Sequence, residues 1–191
     1  LNKAQSLRIS MICPLHGLIW RKDIDNLIQK YAKWSAYEPE IKGVLIAYSS
    51  VYGNTQSAAE IVANRLGEQG VKNIQMYDVS VTHPSYVVAE AFRYSHIVFA
   101  TTTYNGGIFV TMENLLLDLK AHNLQNRTVA LIENGTWAAT AAGQMKNILS
   151  SMKGMNVIAN PVTLKSSVKP EKRDELIALA DAICETLKKR Y

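Results

Sequence analysis

Apolar runs of strand length alternate with segments of helical periodicity along most of the chain. The apolar runs cover residues 44–48, 74–79, 96–101, 128–132 and 157–164. Helical spacing of apolar residues covers 55–69, 85–94, 111–122, 139–152 and 170–189. Because strict alternation of strands and helices is typical of βαβ units, we predict an α/β fold whose five-stranded, doubly wound parallel sheet has helices on both faces.

The first forty residues follow a different pattern. We predict a short strand at residues 6–13, a loop at 14–21 and an amphipathic helix at 23–34. Pro39 restrains the residue before it and the composition turns polar, so we place a linker at about residues 35–41. The chain is therefore expected to contain a short first part, residues 1–41, and a main domain, residues 42–191.

Composition narrows the class of protein. A chain of 191 residues that is 48% hydrophobic can form one ordinary core with a short appendage. No apolar run is long enough to span a membrane, no secretory signal pattern opens the chain, and Cys13 and Cys184 form no disulfide framework, so we expect a cytoplasmic protein. The net charge of +5 is dispersed and is interpreted as a solvated surface, which argues against a nucleic-acid partner; the functional alternative is attraction of an acidic protein partner.

The first apolar run ends in a polar turn, SSVYGNT at residues 49–55, after which a helical pattern begins. Free amides in the first turn of a helix attract phosphate, Gly53 permits a positive φ, and Thr55 is a candidate N-cap. No Lys or Arg lies between Gly43 and Asn64, and there is neither a Walker motif nor Gly-x-Gly-x-x-Gly. The turn predicts a monophosphate site built from neutral donors; the alternative is a turn that only caps its own helix.

Two further loops follow the third and fourth apolar runs: TTTYNGG at residues 101–107 and ENGTW at 133–137. The carboxyl ends of parallel strands meet at one edge of the sheet, so these loops are expected to lie beside the phosphate turn. Tyr104 and Trp137 would flank a flat heterocycle. The glycine-rich backbone at 105–107 would reach the heteroatoms of that ring, and a peptide flip there would let the backbone either accept or donate a hydrogen bond. Together the loops predict a mononucleotide site, although Trp137 alone is as well explained as a core residue and paired glycines as a simple turn.

Three segments carry a resemblance to a known family. SSVYGNT at 49–55 resembles the phosphate loop of the flavodoxins, and TTYNGG at 102–107 resembles the ring-binding loop of the flavodoxin-like domain in flavodiiron proteins, or A-type flavoproteins. CPLHGLIWR at 13–21 resembles the closing segment of the metallo-β-lactamase-like domain that precedes it. The resemblance implies a flavodoxin-like sheet of order 2-1-3-4-5, preceded by a short strand-loop-helix remnant of the first domain.

The resemblance also implies an FMN cofactor and assigns residues to it. His16 matches an iron ligand of the family, but His-x-Glu-x-Asp-His is absent, so a diiron cofactor is expected only with an upstream domain. No catalytic residue is assigned to this chain itself. The residues expected to bind FMN are Ser49, Ser50, Tyr52, Gly53, Asn54, Thr55, Thr102, Thr103, Tyr104, Asn105, Gly106, Gly107, Asn134, Gly135 and Trp137.

The function implied by the resemblance is electron transfer within an oxidoreductase. FMN would take electrons from a rubredoxin-like donor or a reductase and pass them to a diiron centre that reduces dioxygen or nitric oxide, in a homodimer of the full-length protein. Glu133 and Thr136 depart from the family pattern, and Glu133 beside the ring would lower the flavin potential by charge repulsion.

Three alternatives remain from the sequence. A free flavodoxin has no need of residues 1–40 and is typically acidic, whereas this chain is basic. An NAD(P)H:quinone reductase of the flavodoxin-like type would be an enzyme in its own right, and a flavin-free interaction domain would use the fold only as a scaffold.

Overall fold

A central parallel sheet organises the computed structural model, which describes residues 7–189. Its strands are β1 (Ile41–Tyr48), β2 (Ile74–Asp78), β3 (Tyr94–Tyr104), β4 (Gly107–Ile108), β5 (Thr128–Asn134), β6 (Asn156–Val157) and β7 (Val162–Leu164). The spatial order is β2-β1-β3-β5, and β6 and β7 both pair with the outer side of β5, whereas the short strand β4 pairs only with the end of β3. When β4 is left out and β6 and β7 are counted as one interrupted edge strand, this is the predicted order 2-1-3-4-5.

Helices cover both faces of the sheet, as predicted. Alternate residues of β1 point to opposite faces, so that Leu45 packs in one buried cluster and Ile46 in the other. α3, α4 and α5 cover the first face, and α2 and α6 cover the second. Burial on both sides explains why the strands are continuous apolar runs. The helices are α1 (Ile24–Ser35), α2 (Asn54–Glu68), α3 (Pro84–Arg93), α4 (Val110–Ala121), α5 (Ala141–Ser150) and α6 (Pro170–Lys188).

The third strand is longer than the apolar pattern predicts. Thr102 continues β3 beyond the predicted run at 96–101 and pairs with Asn134 at the end of β5, because a β-branched threonine suits a pleated ladder although it is polar. Residues 103–104 then pair with β4 through a two-residue turn in which Asn105 and Gly106 have φ of 48° and 73°. Two positive φ angles at Asn-Gly are typical of a type I′ hairpin, so the predicted loop at 101–107 is a strand end followed by a tight hairpin.

The edge strand predicted at 157–164 is interrupted. β6 and β7 are separated by residues 158–161, where Ala159 has a φ of 58° and Pro161 has no N–H to donate to a ladder. Both pieces run parallel to β5, so the interruption leaves the topology unchanged.

The segment before β1 contains the predicted helix, α1, but little strand. The predicted strand at 6–13 is represented by a single antiparallel bridge between Ile12 and Trp20, and Ser6 lies outside the described residues. The linker region is fastened to the main domain, because the Tyr37 carbonyl accepts a 2.8 Å bond from Arg127. The division at residue 41 stays a prediction.

No helix among residues 7–189 combines the length and apolarity needed to cross a membrane.

Candidate functional site

An elongated groove lies at the carboxyl edge of the sheet, where the three predicted loops meet. One part is a cleft of about 270 Å³ at the ends of β1, β3 and β5. A second hollow of about 380 Å³ shares Thr103, Gly135 and Thr136 with it and extends to Trp137. The cleft is lined by Ser50, Val51, Tyr52, Asn54, Thr55, Thr102, Thr103, Tyr104, Asn134, Gly135, Thr136 and Ser166.

The N-terminus of α2 opens into the cleft. Gly53 occupies the N-cap position with a φ of 84°, a conformation natural to glycine, and no side chain caps the first-turn amides. Thr55 was predicted as the N-cap, which is wrong: it lies within the first turn, with its hydroxyl 3.4 Å from that of Thr102. The uncapped amides are left to receive an anion from the cleft.

Two adjacent serines of the phosphate turn have different environments. The Ser50 Oγ is buried and has no hydrogen-bond partner among the described residues. The Ser49 hydroxyl shares a 2.7 Å bond with that of Thr101, and Ser49 lies behind the cleft rather than in its lining. A buried hydroxyl without a partner is costly, so Ser50 fits a site completed by a ligand.

The two predicted aromatic residues line different parts of the groove, Tyr104 the cleft and Trp137 the hollow. Tyr104 is 48% exposed and packs edge-on against Phe109, with ring centroids 5.7 Å apart. Trp137 is 96% exposed, which excludes the alternative that it is a core residue. Both rings are accessible to a flat heterocycle.

The hairpin that follows Tyr104 is fastened to the N-terminus of α5. The Gly106 carbonyl accepts a 2.9 Å bond from the Thr140 hydroxyl and a 2.7 Å bond from the Gln144 side-chain amide. The Thr103 hydroxyl oxygen accepts bonds from the backbone N–H groups of Thr140 and Ala141. Turning over the peptide after Gly106 would break both bonds to its carbonyl. Asn105 and Gly106 line the hollow, whereas Gly107 belongs to β4 behind them.

Glu133 is turned away from the groove. Its buried carboxylate accepts a 2.7 Å bond from the Ala142 N–H in the first turn of α5 and a 2.8 Å bond from the Thr163 hydroxyl. This placement contradicts the hypothesis that Glu133 lies beside the ring. Glu133 instead stabilises the start of α5, whose partial positive charge suits a carboxylate.

Sequence reasoning missed a fourth loop at this edge. Ser166, after β7, lines the cleft, and its N–H and C=O both bond to the side-chain amide of Asn134 at 2.9 Å. The polar residues KSS at 165–167, two of them serines, directly follow an apolar run, so the same rule that selected the other loops would have found it. Val51, Thr136 and Ala138 are further lining residues outside the predicted set.

His16 lies apart from these loops in the lining of a separate apolar hollow of about 610 Å³, formed by residues before β1 and by α1. Within residues 7–189, no group of three or more His, Cys, Asp and Glu side chains is arranged to hold a metal ion. His16 as an iron ligand stays a prediction that depends on ligands from outside the described residues.

The groove fits a phosphate monoester joined to a flat ring. Its cleft end offers the Ser50 hydroxyl and uncapped amides, and its hollow end offers Trp137 and the hairpin. Among residues 7–189, no Lys or Arg lines either part, as the neutral phosphate turn predicts.

Comparison with known proteins gives the family. The flavodoxin family model matches residues 46–188, which is most of the chain. Relatives include an uncharacterized protein of Methanocaldococcus jannaschii, 24% identical over 90% of this chain and 43% of its own length. Others are the nitric oxide reductase of Moorella thermoacetica (28%, covering 82% and 38%) and the anaerobic nitric oxide reductase flavorubredoxin of Aeromonas hydrophila (23%, covering 87% and 33%). The chain therefore spans less than half the length of these relatives.

Solved structures show the same fold. The rubredoxin oxygen:oxidoreductase of Desulfovibrio gigas superposes with a TM-score of 0.84 at 24% identity, over 94% of this chain and 44% of its own. The Giardia intestinalis flavodiiron protein gives 0.81 at 20% identity, over 98% and 48%. A flavodoxin from the domain Archaea gives 0.67 at 20% identity, over 78% and 100%. The chain belongs to the flavodoxin family and is an FMN-binding domain whose relatives include nitric oxide reductases and whose fold matches that of solved flavodiiron proteins.

Proposed function

We propose that this chain is the electron-transfer part of a flavodiiron protein. It would receive electrons from a rubredoxin-like donor or a reductase and deliver them to a diiron centre that reduces dioxygen or nitric oxide. The diiron centre belongs to sequence outside residues 1–191, and residues 1–41 close the domain that carries it, with His16 as one iron ligand. The full-length protein is a homodimer in this proposal.

The segment before β1 is the observation that carries the proposal. The flavodoxin family match begins only at residue 46, and the archaeal flavodoxin covers 78% of the chain. The Desulfovibrio gigas and Giardia intestinalis structures cover 94% and 98% of it, and so include most of the first forty residues. A free flavodoxin accounts for the groove but not for this segment, which supports the flavodiiron alternative.

Each end of the groove has a role in the proposal. Ser50, Asn54 and Thr55 bind the phosphate through hydroxyl, amide and first-turn N–H groups. Tyr104 and Trp137 flank the ring, and the hairpin at 105–106 positions it. FMN supplies the redox chemistry when bound, so the chain's work is to bind, orient and shield it. The remaining residues shape the groove: Ser49, Tyr52, Gly53, Thr102, Thr103, Gly107, Asn134 and Gly135.

The donor is proposed from two observations. The names of the Desulfovibrio gigas and Aeromonas hydrophila proteins both contain rubredoxin, which supports a rubredoxin-type donor here. The net charge of +5 would favour encounter with an acidic carrier.

Anaerobic mixing of the FMN-loaded chain with reduced rubredoxin tests this proposal. We expect rubredoxin to bleach the oxidised-flavin absorbance, at a rate that falls as salt is raised because the encounter is electrostatic. Dithionite serves as the positive control for a reducible flavin, and NADPH alone should leave the absorbance unchanged. Reduction by NADPH but not by rubredoxin would instead support the quinone reductase alternative, and failure of rubredoxin where dithionite succeeds would refute this donor class.

A further inference from the structure

We propose that Ser166, in the loop at residues 165–167 called here the Ser166 loop, forms a fourth wall of the FMN site and that its hydroxyl donates a hydrogen bond to the FMN phosphate. The inference rests on the proposed FMN site and adds a phosphate-binding residue to it. None of the three loops found from sequence contains this residue.

The topology brings the Ser166 loop to the phosphate end of the groove. β7 pairs with β5 so that Leu164 lies opposite Asn134, and the loop therefore leaves the sheet at the edge where the cleft opens. Ser166 lines the cleft together with Ser50 and Thr55. The Asn54 side-chain amide donates a 3.4 Å bond to the Ser166 Oγ, which places this hydroxyl beside the N-terminus of α2.

The backbone of Ser166 is held in a conformation that serine rarely adopts. Its φ is 69°, in the left-handed region, where a residue with a Cβ is strained. The Asn134 side chain holds it there by accepting from the Ser166 N–H and donating to the Ser166 C=O, each at 2.9 Å. Such strain, maintained by a two-bond clamp beside a cleft, points to a functional placement of the side chain.

The hydroxyl chemistry matches a phosphate. Ser166 Oγ accepts a long bond from Asn54, so the hydroxyl proton remains to be directed toward an acceptor in the cleft. Ser50 presents a second hydroxyl, buried and without a partner among the described residues. Because no Lys or Arg in the described part of the chain lines the cleft, a dianionic phosphate there depends on neutral donors, and each one contributes strongly.

Two variants of Ser166 separate the hydroxyl from the backbone conformation. Ser166→Ala removes the hydroxyl and keeps the strained Cβ, whereas Ser166→Gly removes the hydroxyl and makes the left-handed conformation natural. Ser167→Ala, an exposed serine in the same loop, is the matched control. Dissociation constants for FMN and riboflavin are measured by flavin fluorescence on the full chain, with thermal unfolding of each flavin-free variant as the folding check.

We expect both Ser166 variants to bind FMN about tenfold more weakly, the loss typical of a hydrogen bond to a charged group, and to bind riboflavin within about twofold of the wild type. Ser167→Ala should bind both flavins as the wild type does. Equal losses for FMN and riboflavin would overturn the proposal in favour of a ribityl contact. A loss in Ser166→Ala that Ser166→Gly restores would overturn it in favour of a purely conformational role.

Two binding results distinguish a wrong role for Ser166 from a wrong assignment of the FMN site. Wild-type binding of FMN that both Ser166 variants retain would refute the role of Ser166 and leave the FMN site standing. No FMN binding by the wild type would remove the proposed function itself.

Discussion

Neighbouring polar residues with the same side chain have opposite roles at the carboxyl edge. Ser49 and Ser50 are equivalent in a sequence pattern, yet one hydroxyl bonds Thr101 behind the cleft and the other is a buried hydroxyl in its lining. Consecutive side chains of an extended chain point to opposite sides, so only one of the two faces a ligand. The pattern predicts the loop, but which serine faces the cleft depends on the register of β1 against β3.

His96 gives a prediction at the scale of a single residue. It is 2% exposed, and burial, followed by the charge of Lys42, lowers its pKa from 6.5 to about 4. In the unfolded chain His96 therefore becomes protonated below about pH 6.5, whereas in the folded chain it becomes protonated only near pH 4. Stability is retained above pH 6.5 and falls as the pH decreases, by about 2 kcal/mol at pH 5 from this residue alone.

Urea unfolding from pH 7 to pH 5 measures this loss. His96→Gln keeps a polar side chain beside Ser95 and Thr186 but cannot titrate, so its stability should fall less over the same range. Parallel pH profiles for the wild type and His96→Gln would contradict the assignment.

At the scale of elements, helices were predicted more accurately than loops. The helical period places α5 within two residues at each end, because an apolar face repeats over several turns. The third apolar run was predicted to end at Thr101, although Thr102 also continues the ladder against β5 and residues 103–104 pair with β4. The paired glycines at 106–107 did indicate a turn, and the structure has a hairpin turn at 105–106.

Glu133 is expected to contribute strongly to stability, because its carboxylate joins β5, β7 and the start of α5. Glu133→Ala should destabilise the flavin-free chain by about 2 to 3 kcal/mol, since it leaves the buried Ala142 N–H and the Thr163 hydroxyl without their acceptor. Glu171→Ala removes an exposed carboxylate from the first turn of α6 and should cost about 0.5 kcal/mol or less.

Urea denaturation of the two variants against the wild type gives both values. Equal stability of Glu133→Ala and Glu171→Ala would show that Glu133 does not stabilise α5.

At the scale of the whole molecule, the sheet and its two helical layers follow from the alternation of apolar runs. The attachment of the first segment does not, because it depends on long-range contacts of a buried arginine. Arg127, at the start of the β5 region, donates to the carbonyls of Ala91 and Phe92 at the end of α3 and of Tyr37 in the linker region. An arginine directly before an apolar run gives no indication in the sequence that its side chain joins the two parts of the chain.

The binding of FMN by the groove is the central claim for the whole molecule, and a fluorescence titration of the flavin-free chain with FMN and riboflavin tests it most directly. We expect one FMN per chain, weaker binding of riboflavin because the phosphate site contributes affinity, and about tenfold weaker FMN binding by Ser50→Ala. Ser151→Ala, an exposed serine after α5, should bind as the wild type does. Absence of saturable FMN binding, or equal affinity for FMN and riboflavin, would contradict the account.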